Sequence, residues 1–191
     1  ALGAFTAGTR NFYSKTPIKT VDDLKGKKFR VQAGPTNVAM MNAFGAAATP
    51  MAFGEVYSAL QQGVIDGAEN NELALTDQKH GDVCKYFSYD GHQMCPDMII
   101  ASEKFLKSIP AEDKAVFEAA AQEAQKAEFA AWHASIDGAK EKAKAMGVEF
   151  IDVDAGQFRE KVLPLHQQLL KENPAIKALY EKASAYDAAH K

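Results

Sequence analysis

Three arginines stand out among the side chains of this sequence that could do chemistry. The chain has 22 lysines and arginines, and only Arg10, Arg30 and Arg159 among them are arginines. The planar guanidinium carries five N–H donors in a fixed fork, which can bind both oxygens of a carboxylate. A carboxylate-binding site is therefore one interpretation, and a surface or interlobe salt bridge is the alternative for each arginine. Composition alone does not decide between them.

Acidic side chains offer a second chemistry, general acid–base catalysis. Asp66, Glu69 and Glu72 lie at the end of a predicted strand, a position at which open α/β sheets bind ligands. A hydrolase or lyase that uses Asp66 and Glu69 with a histidine is one hypothesis. His80 or His92 would be that histidine. The sequence has no GxSxG motif and no phosphate-binding glycine loop, so we predict no catalytic residues.

Metal and disulfide chemistry have weak support. The five histidines show no HExxH or HxH spacing and the cysteines form no CxxC, so we expect neither a metal site nor a cofactor. Cys84 and Cys95 are the two cysteines, and they would suit a bridge between neighbouring strands if they face each other. Two buried free thiols are the alternative.

Composition describes an ordinary globular protein. The 191 residues are 47% hydrophobic and 25% charged, with a formal net charge of -3, which argues against disorder and a disulfide scaffold. No apolar run approaches the roughly 20 residues that a membrane-spanning helix needs. The near-neutral charge also lacks the basic face that nucleic-acid readers usually carry. We therefore expect neither nucleic-acid binding nor membrane insertion.

The elements that must position these side chains alternate between strand and helix. Thr20 begins a capped helical turn that ends at Gly26. Strands are predicted over residues 27–33, 49–53 and 64–68, with helices from Pro35 to about Gly45 and over 55–62. This alternation with short connections predicts an α/β layer with parallel or mixed strands.

The second half of the chain is predicted to contain one very long helix. Residues 85–92 are rich in β-formers, Asp90-Gly91 is interpreted as a turn, and 94–102 is a second strand-like run. A helix is predicted from Pro110 to Met146, and about 35 helical residues would span about 50 Å. Such a helix would bridge two lobes. A strand over 148–153 and C-terminal helices complete the prediction.

Three ordered motifs resemble a known family. They are DDLKGKKFRV (22–31), PMAFGEVYSALQQGVIDGAEN (50–70) and SIPAEDKAVFEAAAQEA (108–124). They are similar to the periplasmic solute-binding proteins of tripartite ATP-independent periplasmic (TRAP) transporters, and the likeness covers nearly the whole chain. The resemblance implies a two-lobed α/β binding-protein fold that holds its ligand between the lobes. The predicted long helix corresponds to the family's helix that spans both lobes.

The resemblance also implies a division of the chain. Compared with the family, the sequence begins about where the first hinge strand enters lobe two. Lobe two, complete with a mixed sheet, is expected over 1–91 and 139–191, and a partial lobe one with the long helix is expected over 92–138. The resemblance further implies a removed signal peptide and a periplasmic location.

Residue roles follow from the same motifs. The resemblance implies that Arg30, in the KxRV strand, pairs bidentately with a ligand carboxylate. Arg10, in the GxRxF segment, resembles a second carboxylate-facing arginine. Asn70, after Glu69, stands where the family places a ligand-contacting Asn, and Phe53 would pack on the apolar face of the ligand.

Polar residues near this strand end indicate the class of ligand. Asn at position 70 favours hydroxyl recognition over the metal-assisted 2-oxo acid binding of another family branch, although Glu69 keeps a metal ion possible. Asn71 and Gln32 are further candidates for polar contacts, and Asn71 is equally a candidate helix cap. These residues favour a sugar acid.

The sequence therefore predicts a non-enzymatic receptor for a small organic acid that delivers its ligand to the membrane components of a TRAP transporter. A sugar acid is the favoured ligand, and a C4-dicarboxylate or other short carboxylate is the alternative. The hydrolase or lyase is a second alternative, and an interaction module without ligand binding is a third.

Overall fold

Two β-sheets of unequal size organise residues 1–190, the part of the chain that the computed structural model describes. The strands are β1 (Gly3–Phe5), β2 (Thr9–Ser14), β3 (Lys28–Val31), β4 (Ala47–Pro50), β5 (Gly67–Asn70), β6 (Tyr86–Met94), β7 (Asp97–Ile99) and β8 (Glu149–Asp152). The helices are α1 (Pro35–Ala43), α2 (Val56–Gln61), α3 (Leu73–Thr76), α4 (Glu103–Ser108), α5 (Ala111–Ala145), α6 (Ala155–Glu172) and α7 (Pro174–Ala189).

The larger sheet is mixed. Its six strands lie in the order β4–β3–β5–β2–β6–β8, while β1 and β7 form the smaller sheet. β3 runs parallel to β4 and β5, and β6 runs parallel to β8. β2 is antiparallel to both of its neighbours, β5 and β6. The α/β fold class with a mixed sheet is confirmed.

Helices cover both faces of the larger sheet. Phe12 and Phe29 point to one face and pack with Phe158 of α6 and with residues of α1. Tyr13 and Phe87 point to the other face and pack with residues of α2, α3 and α5. Because successive side chains of a strand alternate between faces, the adjacent residues Phe12 and Tyr13 of β2 anchor two separate clusters of the core.

Two strands of the first half lie a few residues from their predicted positions. The predicted strand over 64–68 is observed at 67–70, because the chain is still turning there: the Val64 N–H donates to the Ala59 carbonyl at 3.0 Å. The predicted strand over 49–53 is observed at 47–50, because Phe53–Glu55 forms a short 3-10 turn. The capped turn at Thr20 and helix α1 are found where predicted.

The predicted turn at Asp90-Gly91 is wrong, since both residues lie inside the nine-residue strand β6. The Asp90 Oδ1 atom accepts the Phe12 N–H at 3.0 Å, and the Gly91 N–H donates to Asn11 Oδ1 at 2.9 Å. These side-chain bonds replace ladder bonds where the pairing with β2 shifts register between Arg10 and Phe12. Gly91 has φ of +60°, so the Asp-Gly pair forms a bulge instead of a turn.

Helix α5 has 35 residues, as the sequence predicts. Near its first half, the Gln125 side chain accepts the Ala4 N–H of β1 at 2.8 Å. In its last turns, Ala139 and Ala143 are buried, and Ala143 belongs to the core beneath the larger sheet. One helix therefore contacts both sheets.

The sheets divide the chain differently from the predicted boundary at residue 91. Residues 3–5 pair with residues 97–99 in the smaller sheet, so they group with the segment after β6. The strands between residues 9 and 94, β2 to β6, form the larger sheet together with β8. Among residues 1–190, no helix is both long enough and apolar enough to cross a membrane.

The two cysteines do not form a disulfide. Cys84 is buried in the core, whereas Cys95 is exposed immediately after β6. Both thiols are free, but only Cys84 is buried, so the alternative of two buried free thiols holds for Cys84 and not for Cys95.

The close approach of Gly67 to its neighbours gives a stability prediction. A Cβ atom at position 67 would lie 2.6 Å from both a Phe29 ring carbon and the Tyr13 carbonyl oxygen. We expect Gly67→Ala to lower the free energy of unfolding by about 1–3 kcal/mol, measured by urea denaturation.

The matched control is Gly138→Ala in α5, where a Cβ would meet nothing within 4 Å. Because alanine favours helix over glycine, this variant should gain about 0.5–1 kcal/mol. An unchanged urea midpoint for Gly67→Ala would contradict the packing described for β5.

Candidate functional site

A buried carboxylate, Glu69, lies at the carboxyl end of the central strand β5, and its residue is 2% exposed. Arg10 on the adjacent strand β2 donates from Nε to Glu69 Oε2, and from Nη2 to the Glu69 carbonyl oxygen at 2.9 Å. Arg30 in β3 brings its Nη1 atom to 3.6 Å from Glu69 Oε1. Two arginines therefore share one carboxylate.

Arg10 is held by groups of this chain. Its third donor, Nη1, bonds Asn70 Oδ1 at 3.0 Å, and the same oxygen accepts the Asn71 N–H at 2.9 Å. Arg10 is 8% exposed. Three of its five N–H donors are thus occupied, and the Arg10–Glu69 salt bridge is buried between adjacent strands of the larger sheet.

Arg30 is the less satisfied of the two arginines. Its Nε and Nη2 atoms both donate to the Met51 carbonyl oxygen, at 3.2 and 3.0 Å. The Phe53 ring centre lies 5.5 Å from the guanidinium carbon. Burial lowers the pKa of Arg30, while the Glu69 carboxylate acts in the opposite direction. The Nη1 atom makes no hydrogen bond within residues 1–190, so its donors remain for a ligand.

His92 and Asp90 extend the cluster along β6. The Asp90 Oδ2 atom lies 2.6 Å from His92 Nδ1, and the His92 ring stacks on Phe12 with centres 4.4 Å apart. His92 Nε2 is buried and lies 3.7 Å from Glu69 Oε2, beyond hydrogen-bond distance. Burial opposes protonation of His92, but the Asp90 and Glu69 carboxylates outweigh it and raise the pKa to about 9. His92 is therefore cationic at neutral pH.

The five charged groups of this cluster do not balance. Arg10, Arg30 and His92 carry positive charge. Burial of Glu69 favours its neutral acid, but His92 and Arg10 outweigh that effect and lower its pKa. Glu69 and Asp90 thus supply two negative charges, and the cluster keeps a net charge of one positive unit.

Five of the seven predicted site residues meet in or beside this cluster. They are Arg10, Arg30, Phe53, Glu69 and Asn70. Asn71 does not present its side chain to a ligand, because Nδ2 donates to the Ala7 carbonyl at 3.0 Å and Oδ1 accepts the Leu73 N–H at 3.1 Å. Gln32 lies exposed just beyond β3 and has no side-chain hydrogen bond within the described residues.

The predicted pairing of Asp66 with Glu69 for acid–base chemistry is wrong. Asp66 precedes the amino end of β5, whereas Glu69 lies near the carboxyl end, and Asp66 Oδ2 accepts the Lys28 N–H at 2.7 Å. His80 is buried with its Nδ1 atom 2.7 Å from the Tyr13 hydroxyl. Burial and the charge of Arg30 lower the pKa of His80 to about 4. Across residues 1–190, no group of three or more His, Cys, Asp or Glu side chains could hold a metal ion.

Sequence reasoning missed the roles of Asp90 and His92. Asp90 was interpreted as part of a turn, and His92 was considered only as a catalytic alternative. The available signal is their place in a run of β-formers, but the bulge at Asp90-Gly91 breaks the alternation of faces, so their spacing alone does not place them together. The Met51 carbonyl carries no sequence signal, because every residue has one.

Two cavities flank the cluster. One of about 530 Å³ lies between α1, β6 and α6, with Phe44, His92 and Phe158 among its lining residues. The other, of about 720 Å³, lies between β6 and α5, with Tyr89 and Trp132 among its lining residues. Neither Arg30, which is 4% exposed, nor the exposed ring of Phe53 lines either cavity.

Known proteins similar to this chain are bacterial solute-binding proteins. A Salmonella typhimurium relative named as uncharacterized protein YiiZ is 40% identical over 183 residues, covering 95% of this chain and 56% of the relative. The chain therefore spans little more than half the length of that protein.

Two solved structures are similar over nearly the whole chain. A TRAP periplasmic solute-binding protein from Anaerococcus prevotii, with bound α/β-D-glucuronate, has a TM-score of 0.92 at 46% identity, covering 98% of this chain and 61% of that one. A Sulfitobacter counterpart with bound β-D-galacturonate has a TM-score of 0.88 at 33% identity, covering 94% and 60%.

The family assignment agrees with these similarities and with the mixed sheet, the long helix and the arginine-bearing strand ends. Residues 1–173 match the family DctP, described as bacterial extracellular solute-binding protein, family 7. This chain belongs to that family of solute-binding proteins.

Proposed function

We propose that this chain forms one wall of a receptor site for a small organic acid, and that its ligand is a sugar acid. The observation that carries the proposal is the position of the Arg30 guanidinium beside the buried Glu69 carboxylate, with an Nη1 atom that makes no hydrogen bond within residues 1–190. A buried charge without a counter-ion raises the free energy of the folded state by several kcal/mol. A ligand carboxylate at Arg30 Nη1 would supply the missing negative charge.

The charge count favours one carboxylate over two. The cluster has a single positive charge in excess, and Arg10 is already committed to Glu69 and Asn70. A C4-dicarboxylate would need a second cation, whereas a uronic acid carries one carboxylate and several hydroxyl groups. The half-buried Asn70 amide and the Phe53 ring, which is 38% exposed, suit a polar edge and an apolar face of a sugar ring.

The similar structures support this choice of ligand class. The Anaerococcus and Sulfitobacter proteins hold glucuronate and galacturonate, each a sugar with one carboxylate. Because the chain spans 61% of the Anaerococcus protein, we assign to it one wall of the site and not the whole of it. Delivery of the ligand to the membrane components of a TRAP transporter, from a periplasmic location, is the role that family membership supports.

Replacement of Arg30 tests the carboxylate site. We expect the full-length protein to bind D-glucuronate in isothermal titration calorimetry, and Arg30→Lys to bind it about 10–100-fold more weakly, because lysine cannot reproduce the fork. Glucose, which lacks the carboxylate, should not bind measurably. Succinate should bind more weakly than glucuronate.

Arg159→Lys is the matched control, since Arg159 is exposed and makes no ion pair within residues 1–190. Its affinity for D-glucuronate should equal that of the unmodified protein. Equal affinity in Arg30→Lys would refute the carboxylate site, and preference for succinate would favour the dicarboxylate alternative.

His92 gives the folded protein a pH-dependent stability. The pKa of His92 is raised from 6.5 to about 9, so its stabilisation is complete below pH 6.5 and is lost as pH rises toward 9. We expect the free energy of unfolding to fall by up to about 1.4 kcal/mol per pH unit in this window. Urea denaturation from pH 6.5 to 7.5 measures the slope below the range in which thiols and phenols ionise.

The slope should vanish in His92→Asn, which removes the titrating ring. His133→Asn is the control, because His133 is exposed on α5 and bonds only the Phe129 carbonyl. That variant should keep the slope. A pH-independent stability of the unmodified protein over this range would show that His92 is not held as a cation.

A further inference from the structure

Three consecutive residues, the last of β5 and the two that follow it, contact three different parts of the chain. Asn70 accepts a hydrogen bond from Arg10 at 3.0 Å, and Asn71 donates to the Ala7 carbonyl at 3.0 Å. Glu72, the third, is 6% exposed and turns toward β6 and α5. We call residues 70–72 the junction segment, because it joins the candidate ligand-binding residue Asn70 to the elements that run between the two sheets.

The Asn71 contact leads to the connection between the sheets. Ala7 and Gly8 link β1 of the smaller sheet to β2 of the larger one. Gly8 has φ of +67°, and a Cβ at this position would lie 2.9 Å from the Trp132 ring. Trp132, the only tryptophan of the chain, therefore packs from α5 directly onto this connection.

The Glu72 contact leads to α5 itself. The Tyr89 hydroxyl donates to Glu72 Oε1 at 3.1 Å, and Lys140 Nζ lies 3.6 Å from the same oxygen. Lys140 Nζ also lies 5.4 Å from the centre of the Tyr89 ring. Burial and the Glu72 carboxylate raise the pKa of Tyr89, so its hydroxyl stays protonated and donates. The side chains of Glu72, Tyr89 and Lys140 therefore all contact one another, and they connect the junction segment to β6 and α5.

We propose that Glu72 is a positioning residue for the ligand site. Through Tyr89 and Lys140 it fixes α5 against the junction segment. The affinity for a ligand that binds at Asn70 and Arg30 therefore depends on this contact. The inference rests on the proposed function. Glu72 itself does not contact the ligand, because its carboxylate is directed at Tyr89 and Lys140.

The position of Lys140 within α5 supports this role. In the first half of the helix, Glu128 accepts the N–H of Thr6, the residue after β1, at 3.0 Å. Near the end of the helix, Ala143 is buried in the core of the larger sheet. Lys140 lies on the side of the larger sheet, two residues after Gly138. Gly138 has no side chain, so the helix backbone is least constrained at this residue. Loss of the Glu72 contact would therefore let α5 move at a point next to Gly138.

The test uses a mutant cycle on the full-length protein with D-glucuronate as the probe. We expect Glu72→Gln and Lys140→Met each to weaken the binding of D-glucuronate about 3–10-fold in calorimetry. The affinity of the double variant should equal that of the single variant with the lower affinity, because both changes break the same contact. Lys140→Arg keeps the charge and the contact with the Tyr89 ring, so it should retain the original affinity within about twofold.

A surface ion pair of the same helix supplies the matched control. Lys144 Nζ lies 2.9 Å from Glu141 Oε1, and both side chains are exposed. Lys144→Met should leave the affinity unchanged, because such pairs contribute about 0–1 kcal/mol and do not reach the junction segment. Unchanged affinity in Glu72→Gln, or additive losses in the double variant, would overturn the inference.

A readout without ligand separates this inference from the proposed function. In the ligand-free protein, amide hydrogen exchange of residues 134–145 should be faster in Glu72→Gln than in the unmodified protein, and the emission of Trp132 should shift to longer wavelength. If the unmodified protein binds no sugar acid, the proposed function fails. Unchanged exchange and emission in Glu72→Gln would refute the role of Glu72 by themselves.

Discussion

The burial of the Glu69 carboxylate between two arginines and a histidine is the interaction on which the strand ends of this protein depend. Arg10 alone bonds both the carboxylate and the carbonyl oxygen of Glu69, which ties β2 to β5. Without Glu69, the cations Arg10, Arg30 and His92 would face one another in a dry environment, and unpaired buried charge costs about 3–5 kcal/mol. Arg30 shares this carboxylate with Arg10, and its Nη1 atom makes no hydrogen bond within residues 1–190.

The irregularity in β6 explains how His92 enters this cluster. Extra residues in one strand redirect the side chains that follow them, and between the pairs Arg10–Gln93 and Phe12–Ser88 strand β6 has four residues, including His92, against one in β2. Asp90 uses one carboxylate oxygen to accept the Phe12 N–H and the other to hold His92. The residue that compensates for the break in the ladder is therefore also the residue that keeps His92 protonated.

The long helix and the site are connected through direct side-chain contacts. Glu72 follows the site residue Asn70 by two positions and meets α5 at Lys140. Asn71, between them, holds the carbonyl of Ala7. The four consecutive residues Glu69 to Glu72 therefore contact two different sets of neighbours. Glu69 and Asn70 contact the arginines, whereas Asn71 and Glu72 contact the elements that pass between the sheets.

The sequence by itself determined the α/β class and the 35-residue helix, and it predicted Arg30 and Glu69 as candidate site residues, because periodicity, capping residues and family motifs are local properties. Only the tertiary structure decided that Asp66 lies at the far end of β5, that Asp90-Gly91 is a bulge, and that His92 is a cation. The physical reason is that charge state and pairing depend on neighbours distant in sequence, such as Asp90 and Glu69 around His92, and strand register brings these neighbours together.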